Sequence, residues 1–220
     1  MRTRIKICCM ASQQEAQLAI EAGADAIGFV AVMPFGPHAI DDPTIANIIA
    51  RVPPPISTFL LTSENTATAI ARHVERTRPC TVQIVSPLSP SESAQLAELL
   101  PTMRRVQVIH IEDESALDLI AAYAPHVHAY LLDSGRPNLP LPEFGGTGRT
   151  HDWRISAEFV RRSPLPVFLA GGLSVANVGE AIRSVRPFGV DLCSGVRTEG
   201  RLDATKLSAF VEAVRHADRG

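Results

Sequence analysis

An α/β fold, a single (β/α)8 barrel over residues 1–220, is what this sequence predicts, and three observations carry the prediction. Short runs rich in Val, Ile, Leu and Phe alternate along the chain with segments of helical character. Eight such runs fit into 220 residues, which makes a compact version of the eightfold barrel. Glycine-containing turns gather after the last strands, where barrels commonly bind phosphate. No polar linker divides the chain, and its length suits one large domain.

The strand candidates are residues 4–9, 26–31, 56–62, 81–86, 106–111, 129–134, 167–172 and 190–195, each bounded by turn residues. Residues 12–22 form a helix that opens on a capping Ser12, turns Ala16, Leu18, Ala19, Ile20 and Ala22 to an apolar face, and stops at Gly23. Pro53, Pro54 and Pro55 break the chain before the third strand. Ser89 and Pro90 open a helix across residues 91–100 that Pro101 ends. Residues 174–185 and 203–216 supply two more helices.

A doubly wound open sheet is the alternative architecture, and it leads one to expect a glycine-rich phosphate loop after the first strand. Here that strand runs into Cys8-Cys9-Met10-Ala11. The glycines come late: Gly145-Gly146-Thr147-Gly148 after the sixth strand, Gly171-Gly172-Leu173-Ser174 after the seventh, Ser194-Gly195-Val196 after the eighth. Glycine lets backbone N–H groups approach an anion, so Gly146, Gly171, Gly172, Leu173, Ser194 and Gly195 are candidate phosphate-binding residues. A tight turn with no ligand is the competing explanation for any one of them.

Composition narrows the function classes. Twenty-one basic and 23 acidic residues give a formal charge of −2, which points to neither nucleic acid nor an anionic membrane. No apolar run reaches the length of a membrane span, and the start of the chain is too short and too charged for a signal peptide. A cytoplasmic enzyme acting on a small phosphorylated sugar, as monomer or homodimer, is the expectation. Cys8, Cys9, Cys80 and Cys193 show neither a CxxC pair nor Cys/His metal spacing, so free thiols are expected and no metal.

Cys8 and Asp133 fall at the C-terminal ends of the first and sixth strands, where barrel enzymes place reactive groups. A thiolate is a competent base or nucleophile, and a carboxyl group becomes a general acid when its surroundings raise its pKa. Across a barrel mouth they would form a base and acid pair. A buried hydrophobe and a turn cap are the plainer roles for a cysteine and an aspartate in such places. Lys6 shares the strand parity of Cys8 and should point into the barrel, where it needs a partner. Asp191, on the neighbouring eighth strand, is the partner expected, in a structural rather than catalytic pair. His38, after the second strand, is placed to reach the mouth as a substrate-binding residue. His151 lies beside the glycine loop, His73 and His216 read as solvated helix residues, and His110, His126 and His128 as structural.

These residues together resemble the phosphoribosylanthranilate isomerase family of tryptophan biosynthesis, over nearly the whole chain. Lys6-Ile7-Cys8 is similar to the family's opening Lys-Ile-Cys-Gly, and Glu21-Ala22-Gly23-Ala24-Asp25-Ala26-Ile27-Gly28-Phe29-Val30 to its second segment. Leu131-Leu132-Asp133-Ser134, then Gly145-Gly146-Thr147-Gly148 and Asp152-Trp153, resemble the sixth strand and its loop. Leu169-Ala170-Gly171-Gly172-Leu173, Gly189-Val190-Asp191 and Ser194-Gly195-Val196 complete the likeness. The resemblance implies an Amadori rearrangement of an N-linked phosphoribosyl amine to a 1-amino-2-ketose. Asp133 would protonate the ring oxygen, and Cys8 would remove the C2′ proton from the resulting Schiff base. No cofactor is implied, because the nitrogen is the electron sink.

The chain departs from the family where the amine half of the substrate would lie. Cys9 replaces a glycine, Gly36-Pro37-His38 stands for a Ser-Pro-Arg whose arginine is linked to the carboxylate, and Gln83-Ile84-Val85-Ser86 stands for Gln-Leu-His-Gly. A histidine, mostly neutral near pH 7, is a poor substitute for a bidentate guanidinium. The departures lead to the expectation that the sugar-phosphate chemistry persists with a changed amine. Two other readings stay open: different sugar-phosphate chemistry on the same barrel, and a non-catalytic sugar-phosphate-binding protein. A Schiff-base aldolase is poorly served, since Lys6 and Lys206 are the only lysines.

Overall fold

The computed structural model describes residues 2–31, 39–136 and 148–220. Eight parallel strands close into a barrel in the order β1 to β8, each strand paired with the next and β8 with β1. In chain order the first half is β1 Arg4–Ile7, α1 Gln13–Ala22, β2 Ala26–Val30, α2 Asp42–Ile49, β3 Ser57–Thr62, α3 Ala67–Thr77, β4 Thr81–Ile84 and α4 Pro90–Leu99. The second half is β5 Arg104–His110, α5 Leu119–Tyr123, β6 Ala129–Asp133, α6 Trp153–Arg162, β7 Val167–Leu169, α7 Val178–Val185, β8 Gly189–Leu192 and α8 Ala204–Ala217. A two-stranded antiparallel pair, β9 Arg197–Thr198 and β10 Arg201–Leu202, sits between β8 and α8.

Strand alternation sorts the buried residues into two cores. Ala26, Val30, Phe59, Leu61, Val106, Val108, Ala129, Leu131 and Phe168 fill the barrel interior. Ile5, Ile7, Ile27, Phe29, Leu60, Ile84 and Leu132 face outward and pack under the helices. The helices begin where short polar side chains can cap them. Ser12 accepts from Glu15 N, Asp41 from Thr44 N, Thr66 from Ala69 N, Ser89 from Glu92 N, and Asp203 from Lys206 N.

Several boundaries differ from the sequence expectation, chiefly at the C-terminal ends of the strands. β1, β6, β7 and β8 stop before Cys8, Ser134, Gly171 and Cys193, because the chain leaves the hydrogen-bonded ladder there to make turns. Cys9 at φ 66° and Gly171 at φ 80° mark two of those departures. The helix expected over 174–185 starts only at Val178, since Ser174 N donates to Asn177 Oδ1 at 2.8 Å and Asn177 Nδ2 to Gly172 O at 2.9 Å in a preceding turn. His73, expected to be solvated, is buried instead, with Nδ1 3.0 Å from Thr62 Oγ1 and Nε2 3.0 Å from Asp42 Oδ1. It joins α3 to β3 and α2, a tertiary contact that helical periodicity does not reveal.

Candidate active site

The interior parity of the strands places Lys6, Cys8, Asp133, Asp191 and Cys193 on the inner side of the barrel. Cys8 follows β1 directly, is 4% exposed, and donates its backbone N–H to Leu192 O at 2.9 Å. Asp133 ends β6, and its Oδ1 accepts from its neighbour Ser134 N at 2.7 Å. Both lie at the C-terminal end of the parallel strands, the end that also carries the turns after β7 and β8.

The electrostatics shift Asp133 toward its neutral form. Burial pushes its carboxyl up to about 6; the Ser134 N–H opposes this, the nearby Asp191 adds to it, and Lys6 opposes it. Asp191 is itself raised by burial, against the pull of Lys6. Lys6 Nζ donates to Asp191 Oδ1 at 2.9 Å, so the pair expected from strand parity is formed across the β8–β1 seam.

The turn after Cys8 is held from outside the barrel. Arg197 donates to Cys9 O, to Gly200 O at 2.9 Å and to Glu15 Oε1 at 2.9 Å. Glu15 in turn accepts from Ala11 N and Leu202 N, each at 3.0 Å. Replacing Arg197 with Met takes a partner from the half-buried Glu15 carboxylate and strands two carbonyls, so unfolding stability should fall by about 1–3 kcal/mol in urea titration. A loss too small to resolve would show that the turn holds without it. Cys9 itself is a poor base: hydrogen bonding with Cys193 and Cys8, together with burial, raises its thiol well above the ordinary range.

The turns after β7 and β8 interlock through their glycines. A Cβ on Gly195 would stand 2.2 Å from Leu173 O, and one on Gly172 2.6 Å from the Arg149 carbonyl carbon. Gly171 and Gly172 also take φ of 80° and 62°, the left-handed region that other residues enter at a cost. A Cβ on Gly171 would meet Ser134 N and Oγ at 3.0 Å, so this turn closes onto the residue after Asp133. His151 packs on the same turn, its Nε2 2.7 Å from Ser156 Oγ; burial lowers it to about 4, which keeps the ring neutral. Leu173 is buried, while Ser194 is exposed beside the half-buried Gly195. Gly195→Ala should force the two turns apart and raise KM at least about tenfold while changing kcat less. An unchanged KM would remove these turns from substrate binding.

Of the residues singled out from the sequence, Cys8, Asp133, Gly171, Gly172, Leu173, Ser194 and Gly195 gather at one end of the barrel. Gly146 and His38 lie outside the described residues, as do Gly36 and Pro37. Sequence reasoning passed over Ser134, which links Asp133 to the β7 turn, and Arg197, whose partners are far away in the chain. Among the described residues no cluster of three or more His, Cys, Asp or Glu forms a metal site, and no helix is long and apolar enough to cross a membrane.

Residues 5–213 match the family model described as N-(5′-phosphoribosyl)anthranilate (PRA) isomerase. The N-(5′-phosphoribosyl)anthranilate isomerase of Methanosarcina acetivorans is 35% identical over 98% of this chain and 94% of its own length. That of Haloarcula marismortui is 34% identical over 99% of both. The solved phosphoribosyl anthranilate isomerase of Thermococcus kodakaraensis superposes with a TM-score of 0.78 at 30% identity, covering 97% of this chain and 99% of that one.

Proposed function

The chain belongs to the N-(5′-phosphoribosyl)anthranilate isomerase family, and from that premise we propose that Cys8 and Asp133 carry its catalysis as base and acid. The protein is an aldose–ketose isomerase of this type, acting in tryptophan biosynthesis. The observation that carries the assignment of residues is the shared inner face at one barrel end. It presents a carboxyl pushed up to about 6 and a thiol, with two interlocked glycine turns at the same rim.

In this reading the turns after β7 and β8, through Gly171, Gly172, Leu173, Ser194 and Gly195, hold the 5′-phosphate. Asp133 donates its proton to the furanose ring oxygen; the C1′–O bond breaks and the nitrogen lone pair forms the C1′=N bond of a protonated Schiff base. The Cys8 thiolate then takes the C2′ proton. The C–H electrons become a C1′=C2′ bond, the iminium electrons return to nitrogen, and the enolamine tautomerises to the 2-ketose. The ligand is a small phosphorylated sugar amine, and no nucleic acid or membrane partner enters.

Anthranilate is the amine in the names of the relatives, and we extend it to this chain in place of the changed amine that its departures suggested. The test is fluorescence-monitored turnover of phosphoribosylanthranilate by the purified protein. Turnover that persists in a metal chelator is expected, because the substrate nitrogen is the electron sink. A folded protein that binds inorganic phosphate and gives no turnover would return the choice to another amine or to binding alone.

A further inference from the structure

The proposed reaction uses Cys8 as a thiolate base, and a buried charged side chain stands beside it in the barrel interior. We propose that Lys6, held by Asp191, is a positioning residue for Cys8, its ammonium the fixed positive pole beside which the thiolate base stands. The inference rests on the reading of Cys8 as the base and adds a reason why that thiol can do the work.

Lys6 is 0% exposed, and its Nζ lies 2.9 Å from Asp191 Oδ1 and 5.1 Å from the centroid of the Phe59 ring. Ion pair and ring face together hold the ammonium at one point. Gly28 on β2 shows what that point adjoins: a Cβ there would stand 3.0 Å from Cys8 Sγ and 3.1 Å from Lys6 Nζ. Thiol and ammonium thus share the space that the missing side chain leaves. Apolar residues of similar size would stabilise a barrel interior as well as a buried ion pair does, or better. A purely structural role therefore leaves unexplained why a charge sits beside the thiol in the barrel interior, over the Phe59 ring.

The other titratable groups on this face fit the same scheme. Cys9 and Cys193 are free thiols hydrogen-bonded to each other, with Arg197 adding to the pull on Cys193, and Asp191 is engaged by Lys6. Asp133 approaches from β6 and feels both members of the pair, Asp191 raising it and Lys6 lowering it. During turnover negative charge leaves Cys8, which gains a proton, and appears on Asp133, which has lost one. Lys6 bears on both, so its positive end lies near the charge before and after the transfer.

Removing one member of the pair leaves the other buried and unpaired, so the test replaces both, as Lys6→Met with Asp191→Leu. Turnover of phosphoribosylanthranilate and alkylation of Cys8 by iodoacetamide at pH 7, followed by peptide mapping, are read together. A folded double variant should lose about 100-fold in kcat with KM within about threefold, because the missing group acts on a proton transfer and not on phosphate. Its Cys8 should alkylate about tenfold more slowly. A folded variant with unchanged kcat and alkylation overturns the proposal. Should the double variant not fold, the unaltered protein decides: buried Cys8 must react faster than exposed Cys80, and slower reaction overturns the proposal. Full turnover by Cys8→Ala would instead bring down the base assignment alone, with the alkylation rates still reporting on the ammonium.

Discussion

Replacing Cys8 with alanine should lower kcat by about 1,000-fold while leaving KM within a few-fold, because the proposed general base is lost and the turns after β7 and β8 are untouched. The side chain is 4% exposed and small, so the cavity left behind costs about 1 kcal/mol and the variant folds. Serine in the same place should be nearly as inactive, since a hydroxyl does not supply the anion that a thiolate does. The measurement is the fluorescence assay at saturating substrate, with a urea titration beside it to show that the fold is kept. Turnover within threefold of the parent would strip Cys8 of its role. Cys9 is no ready replacement, because its thiol is held protonated by Cys193, Cys8 and burial.

Asp133→Asn should be as damaging to catalysis and, unusually, should stabilise the protein at alkaline pH. The amide cannot donate a proton to the ring oxygen, so kcat falls by about 100-fold to 10,000-fold. The folded-state carboxyl is pushed up to about 6, above the ordinary value near 3.8. The folded state therefore binds this proton more tightly than the unfolded chain does. The stability that this proton contributes is fully present below about pH 4 and is lost as pH rises through about 6. Above that, the fold carries a half-buried, poorly solvated carboxylate. Asparagine should thus gain roughly 2–3 kcal/mol over the parent at pH 8 and almost nothing at pH 4. Urea titrations at the two pH values check this, and an equal difference at both would show that Asp133 is not held neutral by its surroundings. In the parent, the limb of kcat/KM that declines with rising pH should have its midpoint near 6, the free-enzyme value of this acid.

The barrel was legible in the sequence because its strands are short apolar runs whose side chains need burial on both faces. Parity gave more than strand positions. From the two-residue repeat, Lys6 and Asp191 were expected to face each other, and they do so at 2.9 Å. Cys8 and Asp133 were expected at the C-terminal ends of the first and sixth strands; Asp133 ends β6, and Cys8 follows β1 directly. Strand ends were read too long by two or three residues, as at Cys9 and Gly172, because turn residues can be as apolar as strand residues. His73 was misplaced since an amphipathic pattern shows that a residue is near the edge of a helix face, not that Thr62 and Asp42 will meet it there.

The sequence by itself determined the chain's class and the chemical types at its mouth. Periodicity and glycine placement act within a few residues, and a motif order shared with a family needs no coordinates. Closure of the barrel decided the rest. Only with β8 beside β1 does Lys6 gain a counter-ion, and only with the β7 turn against Ser134 and the β8 turn against Leu173 do three glycines become one rim. The acidity of Asp133 belongs to this second group. Desolvation and the field of Asp191 and Lys6 set it, and these depend on distances in space between residues far apart in the chain.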